Sequence, residues 1–403
     1  MLFVSLIKKF FRTKRRFSRK NRCFLWEKFR LGHKWLTFLI NTHIICEKHI
    51  NYGETMREFN YAPIKEKKWD FETISLLTAI HEAKGKQSLY LKSHPDSLEK
   101  LVEIAKIQST ESSNEIEGIR TTATRLKQLC NDKTTPKNRD EEEIAGYRDA
   151  LNVIHENFDY IPITTNYILQ LHKILYGHSG KSIGGKFKNA QNYIMVTENG
   201  RESILFTPLA PYETKEAVDR ICEEYNIAVS TGDVDPLILI PIFIHDFLCI
   251  HPFSDGNGRM SRLLTALLLY KSGYMVGKYI SLEQKIAKDK NAYYVALQKS
   301  QYGWEDGKED VVPFIKYILG TVVSAYRDFD DRMEIVSENA GALETVRKAV
   351  FGIIGKFTKA DVAKLCPSIS NSSVESSLKK LAAEGVIEKK GASRATYYVK
   401  IEK

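Results

Sequence analysis

Apolar residues recur with the 3.6-residue period of amphipathic helices from Trp69 onward, and this periodicity constrains the fold more than any other feature. Clusters of helix-breaking residues between the periodic segments are short, and strand-like runs are few. The pattern therefore predicts a mainly α fold. The first three periodic groups are Ile74, Leu76, Leu77, Ile80 and His81; Leu98, Leu101, Ile104 and Ile107; and Ile144, Tyr147, Leu151 and Ile154.

The main non-helical region extends from Gly184 to Thr214 and carries a hairpin signal. The runs NYIMV and ILFTPL flank Glu198-Asn199-Gly200, and Asn-Gly between two β-prone runs favours a tight turn. Helical patterns resume after Pro236 and continue, with interruptions, to about Tyr326. We therefore expect one β-hairpin inside a helical body.

The composition is that of a globular protein without membrane spans. The 403 residues are 43% hydrophobic and 27% charged, and the apolar run from Leu237 to Ile244 contains Pro241 and falls short of the roughly 20 residues of a membrane helix. The cysteines are widely spaced and form no CxxC motif, which favours the reducing cytoplasm. They are Cys23, Cys46, Cys130, Cys222, Cys249 and Cys366.

The N-terminal segment, residues 1–55, differs from the rest of the chain. It holds 13 Lys and Arg against 3 Asp and Glu, and so accounts for the whole net charge of +10. A basic arm for a membrane surface or nucleic acid, a solvated tail, and a start codon assigned too far upstream are the three interpretations. We favour the last, with Met56 as the start, because the segment after Met56 has the composition of the remaining chain.

Residues 341–403 show the pattern of a separate winged helix-turn-helix. The stretches FTKADVAKLCP, NSSVESSLKKLAAEGV and IEKKGASRATYYV predict a helix, a second helix and a β-hairpin. Asn371 or Ser372 is a suitable N-cap for the second helix, and Gly385 would end it. The basic residues of the predicted wing are Lys389, Lys390 and Arg394.

A basic winged helix suggests DNA binding in the major groove. The helix that would enter the groove offers Asn371, Ser373, Ser376 and Ser377 but no arginine to grip guanine. Such modules also serve for docking or dimerisation when they are attached to an enzyme. The sequence thus leaves DNA binding, docking and a homodimer open.

The strongest chemical signal is the segment 251–262, HPFSDGNGRMSR. Its two glycines let the backbone approach a ligand, and the following helix points its N-terminal amides at the same place, which is an arrangement that binds phosphate. Asp255 supplies one hard oxygen ligand, as suits Mg²⁺ held mainly by phosphates and water. His251 precedes the loop, where a neutral imidazole can act as a general base. Further polar groups come from Asn257, Arg259 and Arg262.

This segment matches the Fic pattern HxFx(D/E)GNGRxxR at every specified position, and the chain resembles a Fic-domain adenylyltransferase over about residues 60–403. The resemblance implies that His251 deprotonates a target hydroxyl, that Asp255 binds Mg²⁺, and that Arg262 meets the γ-phosphate of ATP. Glycine at 258, where the kinase-like Doc branch has lysine, implies AMP transfer. The implied nucleotide-binding residues are Pro252, Phe253, Ser254, Asp255, Gly256, Asn257, Gly258, Arg259 and Arg262.

Other landmarks of the family follow in order, with one departure. His172 and Phe187 fall at expected places, and the implied target-docking flap comprises Leu205, Phe206, Thr207 and Pro208. The family often has an asparagine four residues before a Tyr-Tyr pair, in contact with adenosine. This chain has Asp289 before Tyr293-Tyr294, so Asp289 is the candidate adenosine contact.

A second motif, Ser113-Asn114-Glu115-Ile116-Glu117-Gly118, fits the inhibitory-helix pattern [S/T]xxxE[G/N] of the same family. The resemblance implies that Glu117 forms a bidentate pair with Arg262 and displaces the γ-phosphate, with Ser113 fixing the helix end and Gly118 completing the motif. By contrast, GHSGKS at 177–182 resembles a phosphate-binding Walker A loop but lacks its first glycine, since Leu175 stands there. We interpret that segment as a surface turn, and His245 as a residue that supports the core or orients the active-site loop.

Together these features predict an N-terminal extension (1–55), a helical region with the inhibitory motif (56–160), a Fic catalytic core (161–330) and a winged helix (341–403). The predicted activity is transfer of AMP from MgATP to a Ser, Thr or Tyr hydroxyl of a target protein, including the chain itself, and removal of AMP when Glu117 orients water. The alternative is a DNA-binding regulator that uses the Fic core as a nucleotide sensor.

Overall fold

The computed structural model describes residues 28–31, 34–37, 57–93, 95–198, 201–337, 341–391 and 396–401. The chain divides into two compact units, Met1–Met56 and Arg57–Lys403. In the first unit, strands β1 (Lys28–Leu31) and β2 (Lys34–Thr37) pair antiparallel. The other residues of the basic N-terminal segment, and the predicted start at Met56, lie outside the described part of the chain.

The second unit is mainly helical, which confirms the predicted fold class. Among the residues described, no helix combines the length and the apolar character that a membrane span requires. The helices are α1 (Phe71–Ser93), α2 (Pro95–Ile116), α3 (Ala123–Cys130), α4 (Arg139–Asn157), α5 (Thr165–Leu175), α6 (Pro211–Thr231), α7 (Pro236–Ile250), α8 (Asn257–Lys271), α9 (Leu282–Lys288), α10 (Lys290–Gln301), α11 (Val312–Ser337), α12 (Ala342–Gly352), α13 (Lys359–Leu365) and α14 (Asn371–Ala383).

The central helix α7 is apolar on all sides and is buried along its length, packed against α6 and α8. It begins at an N-cap, Asp235, whose carboxylate accepts a hydrogen bond of 2.8 Å from Leu237 N, and Pro236 suits the first turn. Buried Asp246 on the same helix accepts bonds from Tyr61 Oη at 2.8 Å and Trp304 Nε1 at 2.7 Å. These bonds tie the start of the unit and the turn after α10 to the helix that leads to His251.

One hydrophobic core extends from Phe59 to Met333. It contains side chains of both the predicted inhibitory region and the predicted catalytic core, so the two segments pack as one body. Helix α11 also continues to Ser337, past the predicted boundary at residue 330. The inhibitory motif is therefore carried on a helix that shares the core of the catalytic motif.

The predicted hairpin is present as strands β3 (Ile194–Glu198) and β4 (Arg201–Phe206), which pair antiparallel. Glu198 lies opposite Arg201, so residues 199–200, which are outside the described residues, connect them. The register shifts between Ile194 and Met195. This irregularity lies at the base of the hairpin, where β-bulges commonly redirect a strand.

The C-terminal segment has a small core of its own, formed around Val346, Leu378 and Tyr398. Helices α12, α13 and α14 precede an antiparallel pair, β5 (Ile387–Lys390) and β6 (Tyr397–Lys400). The N-cap of α14 is Ser370, whose hydroxyl accepts from Ser373 N, so the predicted caps Asn371 and Ser372 are wrong by one or two residues. The element order is that of the expected winged helix, an assignment that stays a prediction.

Many cations of this C-terminal segment are already paired with acids of the same segment. Glu375 accepts from both Lys359 and Lys379 at 3.1 Å, and Lys390 lies 3.2 Å from Glu388. Arg394 lies outside the described residues. These pairs reduce the charge available for a phosphate backbone.

Candidate active site

The loop between α7 and α8 holds His251 in a left-handed backbone conformation, with φ 50° and ψ 60°. Its Nδ1 lies 3.2 Å from the carbonyl oxygen of Leu248, so Nδ1 carries a proton and donates it. That bond leaves Nε2 as the basic nitrogen of a neutral imidazole. The carbonyl group of Leu248 thus favours the tautomer in which Nε2 is free to act as a general base.

Burial lowers the pKa of His251 to about 4, and the charge of Lys188 acts in the same direction. The hydrogen bond to Leu248 and the charge of Glu117 oppose the shift but do not outweigh it. The imidazole is therefore neutral at pH 7, and it can accept a proton.

A cavity of about 310 Å³ opens beside His251. Most of the motif lines it with polar groups, and aromatic and aliphatic side chains line it as well. Such a combination suits a ligand with a charged end and a planar apolar end. The lining residues are Glu117, Ile194, Leu205, Leu248, His251, Ser254, Asp255, Gly256, Asn257, Gly258, Arg259, Arg262, Tyr293, Tyr294, Leu297, Gln298 and Gln301.

Helix α8 begins at this cavity after Gly256, which has a φ of +84°. A Cβ on Gly256 would lie 3.0 Å from the Tyr176 ring, so both the backbone angle and the space require glycine. The first amides of α8 face the cavity wall, where an anion is favoured.

Asn257 closes the loop instead of offering its amide to a ligand. Its Oδ1 accepts from Phe253 N at 2.9 Å, and its Nδ2 donates to Phe253 O at 2.7 Å. The predicted role of its side chain in phosphate binding is therefore replaced by a structural one, because both polar ends of the buried amide are used within the loop. Its backbone still lines the cavity.

Arg262 is held by the helix that carries the upstream motif. Its Nη2 lies 2.7 Å from Glu117 Oε1 and donates to Ser113 O at 2.9 Å, and its Nε donates to Ser113 Oγ at 2.8 Å. Ser113 thus fixes Arg262, whereas we expected it to fix the helix end. The pair with Glu117 is a single hydrogen bond on a guanidinium that is 4% exposed.

The Glu117 carboxylate also lies against the first turn of α8. A Cβ added at Gly258 would collide with Glu117 Oε1, so glycine at 258 permits this approach. Burial alone would raise the pKa of Glu117, but the charge and hydrogen bond of Arg262 outweigh it and the pKa lies below its ordinary value. Gly118, with a φ of +81°, ends α2 directly after this contact.

Arg259 is buried, and its guanidinium is already paired with protein side chains. Its Nη2 lies 2.7 Å from Glu143 Oε2 and 2.9 Å from the hydroxyl of Tyr176. Sequence reasoning did not identify Glu143, since it stands in a run of three glutamates at the start of α4, and only its contact with Arg259 distinguishes it from Glu141, which is also buried.

Asp255 lies on the cavity wall with a carboxylate that is 40% exposed, and Lys181 Nζ is 3.0 Å from its Oδ2. Lys181 belongs to the segment that we interpreted as a surface turn, so its approach to the motif was missed. His172 links two loops, because its Nε2 lies 3.1 Å from Asp255 O while Gly185 N donates to its Nδ1 at 3.0 Å.

The remaining motif residues serve the loop or its rim. Phe253 is fully buried and its ring stacks on that of His172, with centroids 3.7 Å apart. Pro252 is buried and does not line the cavity, whereas Ser254 is exposed and does. His245 is buried 3.7 Å from Cys249 Sγ, in the core as expected.

Asp289 does not reach the cavity. Its carboxylate caps α10 by accepting from Ala292 N at 3.3 Å, and the cavity wall contains Tyr293 and Tyr294 instead. Asp289 as an adenosine contact is thus unsupported, because the cap directs its side chain to its own helix. The apolar wall of Tyr293, Tyr294 and Leu297 is the better candidate.

The predicted flap residues lie at the base of the hairpin and beyond it. Leu205 lines the cavity, and Phe206 packs against Trp304 with ring centroids 6.2 Å apart. Thr207 is exposed, and Pro208 is buried with its carbonyl accepting from Gln191 Nε2 at 2.8 Å. The hairpin thus borders the cavity on the side of His251.

Comparison with known proteins supports the resemblance to the Fic family that the motif indicated. Residues 162–269 match the Fic/DOC family. The chain is 26% identical over 204 residues to "Protein adenylyltransferase fic-1" of Caenorhabditis elegans, which covers 50% of this chain and 36% of that protein. It is 28% identical over 246 residues to "Protein adenylyltransferase Fic" of Drosophila melanogaster, covering 60% and 43% respectively. The chain thus spans less than half the length of these relatives.

Solved structures show the same fold. A crystal structure of a Fic family protein from Desulfovibrio desulfuricans G20 superposes with a TM-score of 0.54 and 18% identity, covering 84% of this chain and 98% of that one. Fic-1 of C. elegans, residues 134–508, gives a TM-score of 0.53 and 20% identity over 66% of this chain and 74% of that one. These matches show that the chain shares the fold of Fic proteins, and residues 162–269 are the part that matches the Fic/DOC family.

Proposed function

We propose that this Fic-domain protein transfers AMP from ATP to a Ser, Thr or Tyr hydroxyl of a target protein. The observation that carries the proposal is that a neutral His251, the N-terminus of α8 and Arg262 all line one cavity. A base beside a phosphate site is what nucleotidyl transfer to a hydroxyl requires. The activity named for the C. elegans and D. melanogaster relatives supports the same conclusion.

In the proposed reaction, His251 Nε2 accepts the proton of the target hydroxyl while the hydroxyl oxygen bonds to the α-phosphorus of ATP. The bond between that phosphorus and the oxygen bridging to the β-phosphate breaks, and pyrophosphate leaves with the electron pair. The backbone from Gly256 to Gly258 holds the α- and β-phosphates, and Arg262 meets the γ-phosphate. Catalysis then rests on positioning and on stabilisation of negative charge.

Asp255 is the proposed ligand of Mg²⁺, and the chemistry of its position fits. A hard carboxylate oxygen lines the cavity beside the phosphate cradle. In the described part of the chain, no three His, Cys, Asp or Glu side chains come together as a metal site, so phosphates and water would complete the coordination. Bound there, Mg²⁺ would neutralise phosphate charge. Lys181 would have to release the carboxylate.

The resting state is proposed to be inhibited by Glu117. Its carboxylate occupies the guanidinium that the γ-phosphate needs and stands against Gly258 in the cradle, where it would also repel phosphate. With Glu117 in place, the same site is proposed to remove AMP from a modified protein, because a carboxylate there can orient water for attack.

The proposed partner is a protein segment that docks on the hairpin 194–206 and presents its hydroxyl to His251; the chain itself is a second substrate.

We place the protein in the cytoplasm, an assignment that the free thiols of Cys130, Cys222, Cys249 and Cys366 support. The C-terminal segment is proposed as a docking or homodimer module. Its internal ion pairs argue against the alternative of a DNA-binding regulator.

The test is incubation of the Glu117→Gly protein with α-labelled and γ-labelled ATP in separate reactions. Label retained on protein from the α position alone supports AMP transfer. Label retained from the γ position would indicate phosphoryl transfer, and binding of ATP without any retained label would favour a sensor.

A further inference from the structure

The backbone that carries His251 is bonded by two side chains and one amide from a single short segment, residues 188–192. Lys188 Nζ donates to Ile250 O at 3.1 Å, and Lys188 N donates to Pro252 O at 2.9 Å. Asn192 Nδ2 lies 3.4 Å from His251 O and 3.0 Å from Phe253 O. Four consecutive carbonyl groups around the base thus accept from Lys188 and Asn192.

These hydrogen bonds surround His251, whose backbone conformation is strained. The left-handed conformation of His251 is uncommon for a residue with a Cβ, and among the described non-glycine residues only Asp132 also has a positive φ. Such a conformation persists when the surrounding structure over-determines it. The bonds from Lys188 and Asn192 lie on both sides of the strained residue and supply that constraint.

Lys188 is an unusual choice for a merely structural position. Its side chain is 3% exposed, and it has no carboxylate within ion-pair distance among the residues that the structure describes. Its ammonium bonds instead to Ile250 O and to Asn192 Oδ1 at 2.9 Å, and burial lowers its pKa to about 8. The charge of Glu213 opposes that shift but does not outweigh it, and Glu213 forms no ion pair with Lys188. A buried cation without a paired carboxylate disfavours folding, so its presence beside the base points to a role in the site.

The same segment continues directly into the hairpin. Asn192 stands two residues before β3, and its neighbour Gln191 donates from Nε2 to Pro208 O at 2.8 Å, after β4. The two ends of the hairpin and the backbone of His251 are therefore joined through residues 188–192. A displacement of the hairpin base would be transmitted to the imidazole.

We infer that Lys188 and Asn192 are positioning residues that hold His251 in its left-handed conformation, aim Nε2 into the cavity, and keep the base in register with the hairpin on which the target docks. This inference rests on the proposed function for its kinetic consequence. Its structural consequence, the orientation and tautomer of the imidazole, does not depend on that function.

The kinetic test uses the full chain in the Glu117→Gly background. We expect Asn192→Ala and Lys188→Met to lower the kcat of AMP transfer by roughly 10- to 100-fold, the effect of a small misplacement of a reacting group. Affinity for ATP, measured by equilibrium binding, should change less than about twofold, because neither side chain lines the cavity. Lys188→Arg should restore much of the rate by keeping the cation.

Two further variants separate the hydrogen bonds from other effects of substitution: Asn192→Asp tests the donors, and Lys186→Met is the control. Asn192→Asp keeps the acceptor for Lys188 but removes the two donors to backbone carbonyls, so it should be as slow as Asn192→Ala. Lys186→Met removes an exposed lysine two residues away and should leave the rate unchanged. A loss of ATP affinity in proportion to the loss of rate, or full activity of Asn192→Ala and Asn192→Asp, would overturn the inference.

A spectroscopic readout separates this inference from the proposed function. With ¹⁵N-labelled histidine, and His251→Ala to assign the signal among 10 histidines, the unsubstituted protein should show the Nδ1–H tautomer of His251. Asn192→Ala and Lys188→Met should shift that signal toward a mixture of tautomers. An unchanged signal would overturn the positioning role, even if AMP transfer proved absent from the Glu117→Gly protein and the proposed function failed.

Discussion

Glu117 Oε1 lies 2.7 Å from Arg262 Nη2, across 145 residues of sequence, and the same oxygen stands where a Cβ of residue 258 would be. One carboxylate thus occupies the arginine that would meet the γ-phosphate, and it also blocks the backbone that would hold the other phosphates. Because both contacts come from Glu117, which directly follows Ile116 at the end of α2, a small movement of that residue would open both.

Replacing Glu117 should activate the protein. Glu117→Gly removes a charge-assisted hydrogen bond worth about 1.5–3 kcal/mol, so we expect self-modification with α-labelled ATP to rise by roughly 10- to 100-fold or more. Glu115→Gly is the matched control, since Glu115 is on the same helix and pairs with the exposed Arg120. Equal labelling of the unsubstituted and Glu117→Gly proteins would contradict inhibition by Glu117.

Removing the base should silence the activated protein. His251→Ala in the Glu117→Gly background is expected to abolish labelling, because the described cavity wall offers no second neutral imidazole. ATP affinity, measured by titration calorimetry, should stay within about twofold. Undiminished transfer by this double variant would remove His251 from the mechanism.

The pH dependence of transfer should lack the inflection of an ordinary histidine near pH 6.5. A base must be neutral, and burial lowers the pKa of His251 to about 4, so the active form persists as the pH falls. Lys188 and Glu117 are the charged groups that act on it, and without Glu117 the pKa falls further. Single-turnover rates of Glu117→Gly should therefore stay level from about pH 8 to pH 6, and a midpoint near 6.5 would contradict this assignment.

Lys181 should set the Mg²⁺ requirement. Its ammonium pairs with the proposed Mg²⁺ ligand Asp255, and a partly exposed ion pair is worth about 0.2–1 kcal/mol. Lys181→Ala should thus lower the Mg²⁺ concentration for half-maximal binding of ATP by about two- to fivefold, while Lys186→Ala should not. An increase of that concentration would mean that Lys181 assists the metal–nucleotide complex.

The C-terminal segment should bind DNA weakly. Among the described residues, Arg347, Lys359, Lys379 and Lys390 pair with acids of the same segment and α14 presents no arginine, so we expect the full chain to bind a mixed-sequence duplex with little salt dependence. Lys389→Ala/Lys390→Ala should change that affinity less than about threefold. Steep salt dependence that this double variant removes would restore DNA binding as a function.

The parts of the site that are local in sequence were predictable. The loop before α8 is closed by Asn257 bonding to Phe253, four residues away, and Gly256 supplies the positive φ that the turn needs. The hairpin followed from Asn199-Gly200 between two β-prone runs for the same reason. Neighbours along the chain decide such features, so motif and periodicity predict them well.

Cap positions were predicted less well. Ser370 caps α14 although Asn371 and Ser372 are equally capable by residue type, because the cap is chosen by where the packed helix face begins. The adenosine contact of Asp289 stays a prediction that the structure does not support, for a related reason. Its carboxylate found a partner in its own helix, and spacing from Tyr293 did not reveal this.

The sequence by itself determined the helical body, the hairpin, the proposed phosphate loop and the proposed base, since each depends on residues within a few positions of one another. Only the tertiary structure decided which distant groups meet that loop: Glu143 on Arg259, Lys181 on Asp255, and Lys188 with Asn192 on the backbone of His251. These residues are ordinary in type and spacing. Glu143 and Lys188 acquire their roles because packing of α4 and of the segment before the hairpin against α7 and α8 buries their polar groups, and a buried polar group must find a partner within hydrogen-bond distance.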